Sequence, residues 1–154
     1  AALEEFDAMR AHEGARMYDD ISSRGVEIGR MVDEIAERAP QIVVEYRERI
    51  TQRIREILDG VQPDEGRLLT EAALFADKVS VTEELVRMKS HLSQLNDMLR
   101  ADAPVGRKLD FLVQELNRET NTIGCKANDL TITRMVVDIK SEIEKIREQV
   151  QNIE

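Results

Sequence analysis

An all-α protein is predicted, with long antiparallel helices forming an extended bundle whose seams are coiled-coil-like. Three observations carry that expectation. Apolar residues recur every three or four positions along most of the chain, which puts them on one side of a helix. Charged residues make up 34% of the 154 positions, as in solvated helical rods. Prolines occur only at Pro40, Pro63 and Pro104, each at a break in the pattern, and few stretches alternate as half-buried strands do.

From Leu3 to about Arg38, the positions Leu3, Phe6, Met17, Ile21, Ile28, Met31, Val32 and Ile35 keep helical spacing, loosened by Gly14, Gly25 and Gly29. From Gln41 to Leu58, Val43, Tyr46, Ile50, Ile54 and Ile57 form a second stripe. With Pro40 taken as the break between them, residues 1–60 are expected to form a long helical hairpin, followed by a helical domain over 64–154. Gly60 to Gly66 is the clearest turn, and a helix is expected from Asp64 or Glu65 to Lys78. Ser80 and Glu83 have the spacing of a capping box for the next helix. That helix carries Leu85, Met88, Leu92, Leu95 and Leu99 in steps of three and four. A central helix is expected to begin at Pro104, bury Leu109, Leu112 and Leu116, and stop at Gly124. Asn128 and Asp129 then open the last helix, whose stripe of Ile132, Val136, Ile139, Ile143, Ile146, Val150 and Ile153 is the strongest periodic signal in the chain.

Composition narrows the partners. Lys and Arg number 22 against 31 Asp and Glu, for a net charge of −9, so a uniformly basic nucleic-acid surface is excluded and any such contact must come from a local patch or from several subunits together. The single cysteine, Cys125, allows no intrachain disulfide. No apolar run approaches the roughly 20 residues of a membrane span, and no signal segment is evident, so a cytoplasmic setting is the default expectation.

The chemistry concentrates on two helices. At about 100° per residue, Glu115 and Glu119 share a flank beside the leucine stripe of the central helix, with Lys108 above them and Arg118 and Phe111 on the next strip outward. The preceding helix repeats the arrangement: Glu84 and His91 share the corresponding flank and Arg87 lies one strip further out. If these helices pack side by side, Glu84, His91, Glu115 and Glu119 converge into an oxygen-rich set suited to Mn²⁺ or Mg²⁺. His91 alone could instead serve as a general acid or base. The blander account of the same residues is a salt-bridged helix surface with a packed histidine, and for Phe111 it is packing on another helix. Arg47, Arg49, Arg53 and Arg55 have Glu45, Glu48 and Glu56 as local partners.

Those residues also carry a resemblance. The run from Gly106 to Leu112, then Gln114-Glu115, Asn117-Arg118-Glu119, Asn121-Thr122-Ile123-Gly124 and Lys126-Ala127, resembles the signature of the YicC/YloC endoribonuclease family, bacterial proteins also described as stress-induced. The ending from Glu144 to Glu154 and the upstream positions Arg67, Glu71-Ala72, Ala76-Asp77-Lys78, Glu83-Glu84-Leu85, Arg87 and Ser90-His91 fit the same pattern. Residues 3–60 fit it more loosely, through Arg10, Glu13-Gly14 and Tyr46-Arg47. Ser80 stands where the family usually has an acid, and Cys125 where it often has serine, so a nucleophilic thiol is not expected.

The resemblance implies an endoribonuclease that cleaves single-stranded or structured RNA, here represented by its C-terminal helical part with a further domain upstream. It adds weight to the flank arrangement above, from which catalytic roles are expected for His91, Glu115 and Glu119 and a divalent Mn or Mg site at Glu84, His91, Glu115 and Glu119. By their cationic chemistry, Arg87, Arg107, Lys108, Arg118 and Lys126, with Arg67 next, are expected as RNA contacts. The Gly124-Cys125-Lys126 stretch is expected to be a tight helix exit near a bound anion. A homo-oligomer of hexamer type follows from the same resemblance. The alternative is a non-catalytic helical oligomerisation or adaptor module that recruits a ribonuclease partner through its apolar seams.

Overall fold

The computed structural model describes residues 1–60, 62–101 and 105–153, and all its regular structure is helical. Five helices follow one another: α1 (Ala2–Leu58), α2 (Glu65–Val79), α3 (Thr82–Arg100), α4 (Gly106–Lys126) and α5 (Leu130–Ile153). α1, α3, α4 and α5 form a closed ring of antiparallel neighbours, α1 against α3, α3 against α4, α4 against α5 and α5 against α1, while α2 packs on the C-terminal part of α1. The core runs along this ring and draws on every member, with Ile28, Ile35, Met88, Leu95, Leu116, Ile123, Ile139 and Ile146 among its fully buried side chains.

One continuous helix of 57 residues stands where a hairpin was expected over residues 1–60. Pro40 lies inside α1 with its ring exposed, so the lost amide hydrogen bond falls on the solvent side while Ile35 and Ile42 on the opposite side stay in the core. Packing against α3 and α5 before Pro40, and against α2 after it, holds the helix through the break. The ring stacking of Tyr46 on Phe75, with centroids 3.7 Å apart, fastens the α2 contact. Leu3 and Phe6 were expected on a buried stripe but are exposed, as is Met9 beside them, because the first turns of α1 reach beyond the bundle.

Helix ends also differ in detail. Asp64 caps α2, accepting from the amides of Gly66 and Arg67. The capping box does not form: Ser80 closes α2 and Val81 occupies the α3 N-cap with no side-chain cap. Pro104 lies outside the described residues, and α4 is first seen at Gly106. Gly124 does not stop α4, which continues to Lys126; a Cβ there would lie 3.2 Å from a methyl of Val136, so the missing side chain lets α4 and α5 approach closely. The expected helix exit at Gly124-Cys125-Lys126 is therefore a last helical turn.

Asp129 opens α5 and ties it to α1. Its Oδ2 accepts from the amide of Ile132 at 3.1 Å, and its Oδ1 accepts from the Arg38 guanidinium at 2.9 Å. The Arg38 hydrogen bonds, outweighing burial, hold the Asp129 carboxyl below its usual range. Replacing Asp129 by alanine removes both cap and ion pair and should lower stability by about 1–2 kcal/mol in urea unfolding. Asp129→Asn keeps a cap acceptor and should recover roughly half of that loss. Equal losses in the two variants would show that the charge, not the cap, matters.

A carboxylate and histidine cluster between two helices

Along α3, Glu84, Arg87, Met88 and His91 follow the three-and-four spacing of one helix face, and that face meets α4 at Glu115, Glu119, Thr120 and Lys126. The two helices run antiparallel, so His91 lies near Glu115, Arg87 near Glu119 and Glu84 near Lys126. Burial is deep where the acids sit: Glu84 and Glu119 are each only 2% exposed. A buried carboxylate is tolerated only with cations or donors close by.

Those partners are present. Arg87 Nε donates to Glu119 Oε1 at 2.9 Å, and its other nitrogens lie 3.5 Å from Glu83 and Glu84. Lys126 Nζ donates to Glu84 Oε1 at 2.6 Å. Arg118 Nη2 lies 2.9 Å from Glu115 Oε2 in an ion pair and donates to Glu119 Oε1 at 3.3 Å. Burial pushes the Glu84 carboxyl up, but Lys126, the local backbone and Arg87 outweigh it and hold the group below its ordinary value. The hydrogen bond to Glu119 raises the Arg87 guanidinium further, so it stays charged.

Three buried side-chain atoms remain without a partner. His91 Nδ1 and Nε2 are both buried without a hydrogen-bond partner, and Nε2 lies 3.9 Å from Glu115 Oε2, beyond hydrogen-bond reach. Glu84 Oε2 is likewise buried and unpartnered. One donor atom from each of His91, Glu115 and Glu119 falls within 4.8 Å of the others, a grouping that could hold a cation after a small inward adjustment.

The expected residues thus divide. His91, Glu115 and Glu119 come together. Glu84 shares the seam but stands outside that donor group and is engaged by Lys126. Arg87 and Lys126, expected as RNA contacts, pair with Glu119 and Glu84, because buried carboxylates require counter-charges, while their own side chains stay 43% and 42% exposed. Arg107 and Lys108 are exposed on the first turn of α4 and make no ion pair with a described residue, and Arg67 is exposed on α2. Phe111 was expected to pack and is instead 58% exposed, since it lies on the side of α4 facing away from both α3 and α5. The part of Glu83 in bracing Arg87 went unforeseen; its place four residues before Arg87 was the available signal.

Comparison with known proteins agrees with the signature on α4. Residues 35–154 match the family model described as "Endoribonuclease YicC-like, C-terminal". The chain is 49% identical over 154 residues to the "Probable endoribonuclease YicC" of Clostridioides difficile (strain 630), covering 99% of this chain and 53% of that protein. It is 38% identical over 152 residues to the protein of the same name from Haemophilus influenzae (strain ATCC 51907 / DSM 11121 / KW20 / Rd), covering 99% of this chain and 52% of that protein. The chain spans about half the length of these relatives.

The buried Glu84 pair makes stability depend on acid in a defined direction. With its folded pKa lowered, Glu84 contributes fully above its ordinary 4.5, and the contribution is lost as pH falls through the lowered value. Glu84→Gln should cost about 1–3 kcal/mol at neutral pH and flatten the loss of stability below pH 4.5. Urea midpoints across that range measure both effects, and a variant with the wild-type slope would contradict the assignment.

Proposed function

The chain belongs to the YicC-like endoribonuclease family, and from that premise we propose that it is the helical part of an enzyme that hydrolyses phosphodiester bonds in single-stranded or structured RNA with a divalent Mn or Mg ion held by His91, Glu115 and Glu119. The observation that supports this most is the approach of those three donors to within 4.8 Å from two separate helices. Two carboxylates and one imidazole favour a hard cation over a thiolate-seeking one, and the unpartnered nitrogens of His91 leave a ligand atom available. An ion at such a place polarises a phosphodiester and lowers the pKa of a bound water.

The residues around it would do the rest. Arg87 Nε fixes one oxygen of Glu119 and so orients that carboxylate, the task outer residues perform at metal sites. Glu84, itself held by Lys126, keeps Arg87 in its place from the other side. Exposed Arg107, Lys108 and Arg118 line the outer side of α4 and would take RNA phosphates, and Phe111 on the same helix offers a face for an unstacked base. His91 can alternatively move a proton at its Nε2, which lies closest to Glu115. Because acids outnumber bases by 31 to 22, we infer a cytoplasmic homo-oligomer of hexamer type that pools its cations around RNA.

A non-catalytic adaptor remains the competing account, supported by the exposed Leu3, Phe6 and Met9 of α1, which suit contact with another protein. Cleavage of end-labelled RNA by the complete protein separates the two. Glu115→Gln and Glu119→Gln should each reduce Mn²⁺-supported cleavage by about 10–100-fold or more, His91→Ala by about 10²–10⁴-fold, and chelation should abolish it. Full activity in both glutamine variants, with folding intact, removes the metal; RNA left uncut by the folded wild type under Mn²⁺ and Mg²⁺ favours the adaptor.

A further inference from the structure

Arg118 occupies an unusual position for a surface arginine. Its side chain is 65% exposed, yet its Nη2 reaches back over the helix to lie 2.9 Å from Glu115 Oε2 and 3.3 Å from Glu119 Oε1. These carboxylates supply two of the three donors gathered with His91. The nitrogen therefore sits between the acids, where a bound cation would take its oxygens. Glu119 has a second guanidinium on the same oxygen, from Arg87, but that group is braced by Glu83 and Glu84 as well. Arg118 has no such anchor among the described residues; every ion pair it makes is to the two acids of the donor group.

We propose that Arg118 is a resident counter-cation of this site, which stands in for the divalent ion between Glu115 and Glu119 and is expelled when that ion binds, so that loading the ion frees a guanidinium for RNA phosphate. The proposal rests on the metal reading given above. A divalent ion placed between Glu115 and Glu119 would be a third cation on Glu119 Oε1, which Arg87 and Arg118 already share, and the added repulsion falls on the cation least anchored elsewhere. The mobile partner is the exposed, flexible arginine, whose departure leaves no buried group unpaired once the ion is bound. Nothing covalent changes; one ionic contact is exchanged for another. Linkage then makes the coupling reciprocal: a phosphate that draws Arg118 outward raises affinity for the ion by the same factor that the ion raises affinity for phosphate.

The exchange predicts a result opposite in sign to that of an ordinary supporting residue. Titrating Mn²⁺ calorimetrically into the full chain, Arg118→Met should bind at least about tenfold more tightly than wild type, because the ion no longer competes with an internal cation. Arg134→Gln, which removes the same charge from an exposed position on α5, should stay within about twofold of wild type and so exclude a general charge effect. Glu115→Gln in the Arg118→Met background should abolish the tight binding, which assigns it to this site. Circular dichroism melting checks that each variant is folded. Unchanged or weaker Mn²⁺ binding in Arg118→Met, beside measurable binding in wild type, overturns the counter-cation role and leaves the metal reading standing. No Mn²⁺ binding in either protein overturns both.

Discussion

Burial of two carboxylates in the seam between α3 and α4 is the constraint from which the rest of the site follows. Glu84 and Glu119 lie where leucine or isoleucine would pack without cost, and an uncompensated charge at such depth is expensive. The fold meets that cost with Arg87, which spans Glu83, Glu84 and Glu119, and with Lys126 on Glu84. Once those cations are committed, the positions of Glu115 and His91 one turn along are set as well, since both helices are rigid and buried on their leucine and isoleucine stripes. A seam made only for stability could have been apolar throughout. Its charge at the level of Met88, Leu116 and Thr120 is the feature on which the proposed cation site rests.

The surrounding architecture keeps that seam in register. α3 and α4 are flanked by α1 and α5, which close the ring, and the Arg38 to Asp129 and Arg24 to Glu142 pairs fasten α1 to α5 at two heights. Such partly exposed pairs add little stability individually, but they define an alignment that apolar side chains alone leave loose. Gly124 contributes by absence: without a Cβ it admits Val136 and draws α5 against the end of α4. The polar cluster thus stands on rigid helices and not on loops, which suits donor atoms that must be held to fractions of an ångström.

Much of this was legible in the sequence. The spacing of Ile132 to Val150 and of Leu85 to Leu95 identified two faces of the core, and the shared flank of Glu115 and Glu119 identified one wall of the cluster. Helix ends were less legible, because they depend on tertiary contacts. Pro40 reads as a break in the linear pattern, but packing on both sides of it carries α1 through. Gly124 reads as a helix stop, while in the fold it permits close approach between helices. Ser80 and Glu83 had the spacing of a capping box, yet Ser80 closes α2, one residue before the α3 N-cap at Val81. The side-chain pairing of Arg87 and Lys126 was hidden for a different reason: a linear pattern shows which face a cation occupies, not which buried acid it must neutralise.

The central claim is that His91, Glu115 and Glu119 form a cation site assembled from two helices. Anomalous diffraction at the manganese edge from crystals grown with Mn²⁺ tests it most directly. The account predicts a peak bonded to His91 and both glutamates, with the Arg118 guanidinium withdrawn from between them. A well-ordered structure with manganese bound elsewhere on the protein, and Arg118 still bridging the two acids, would contradict it.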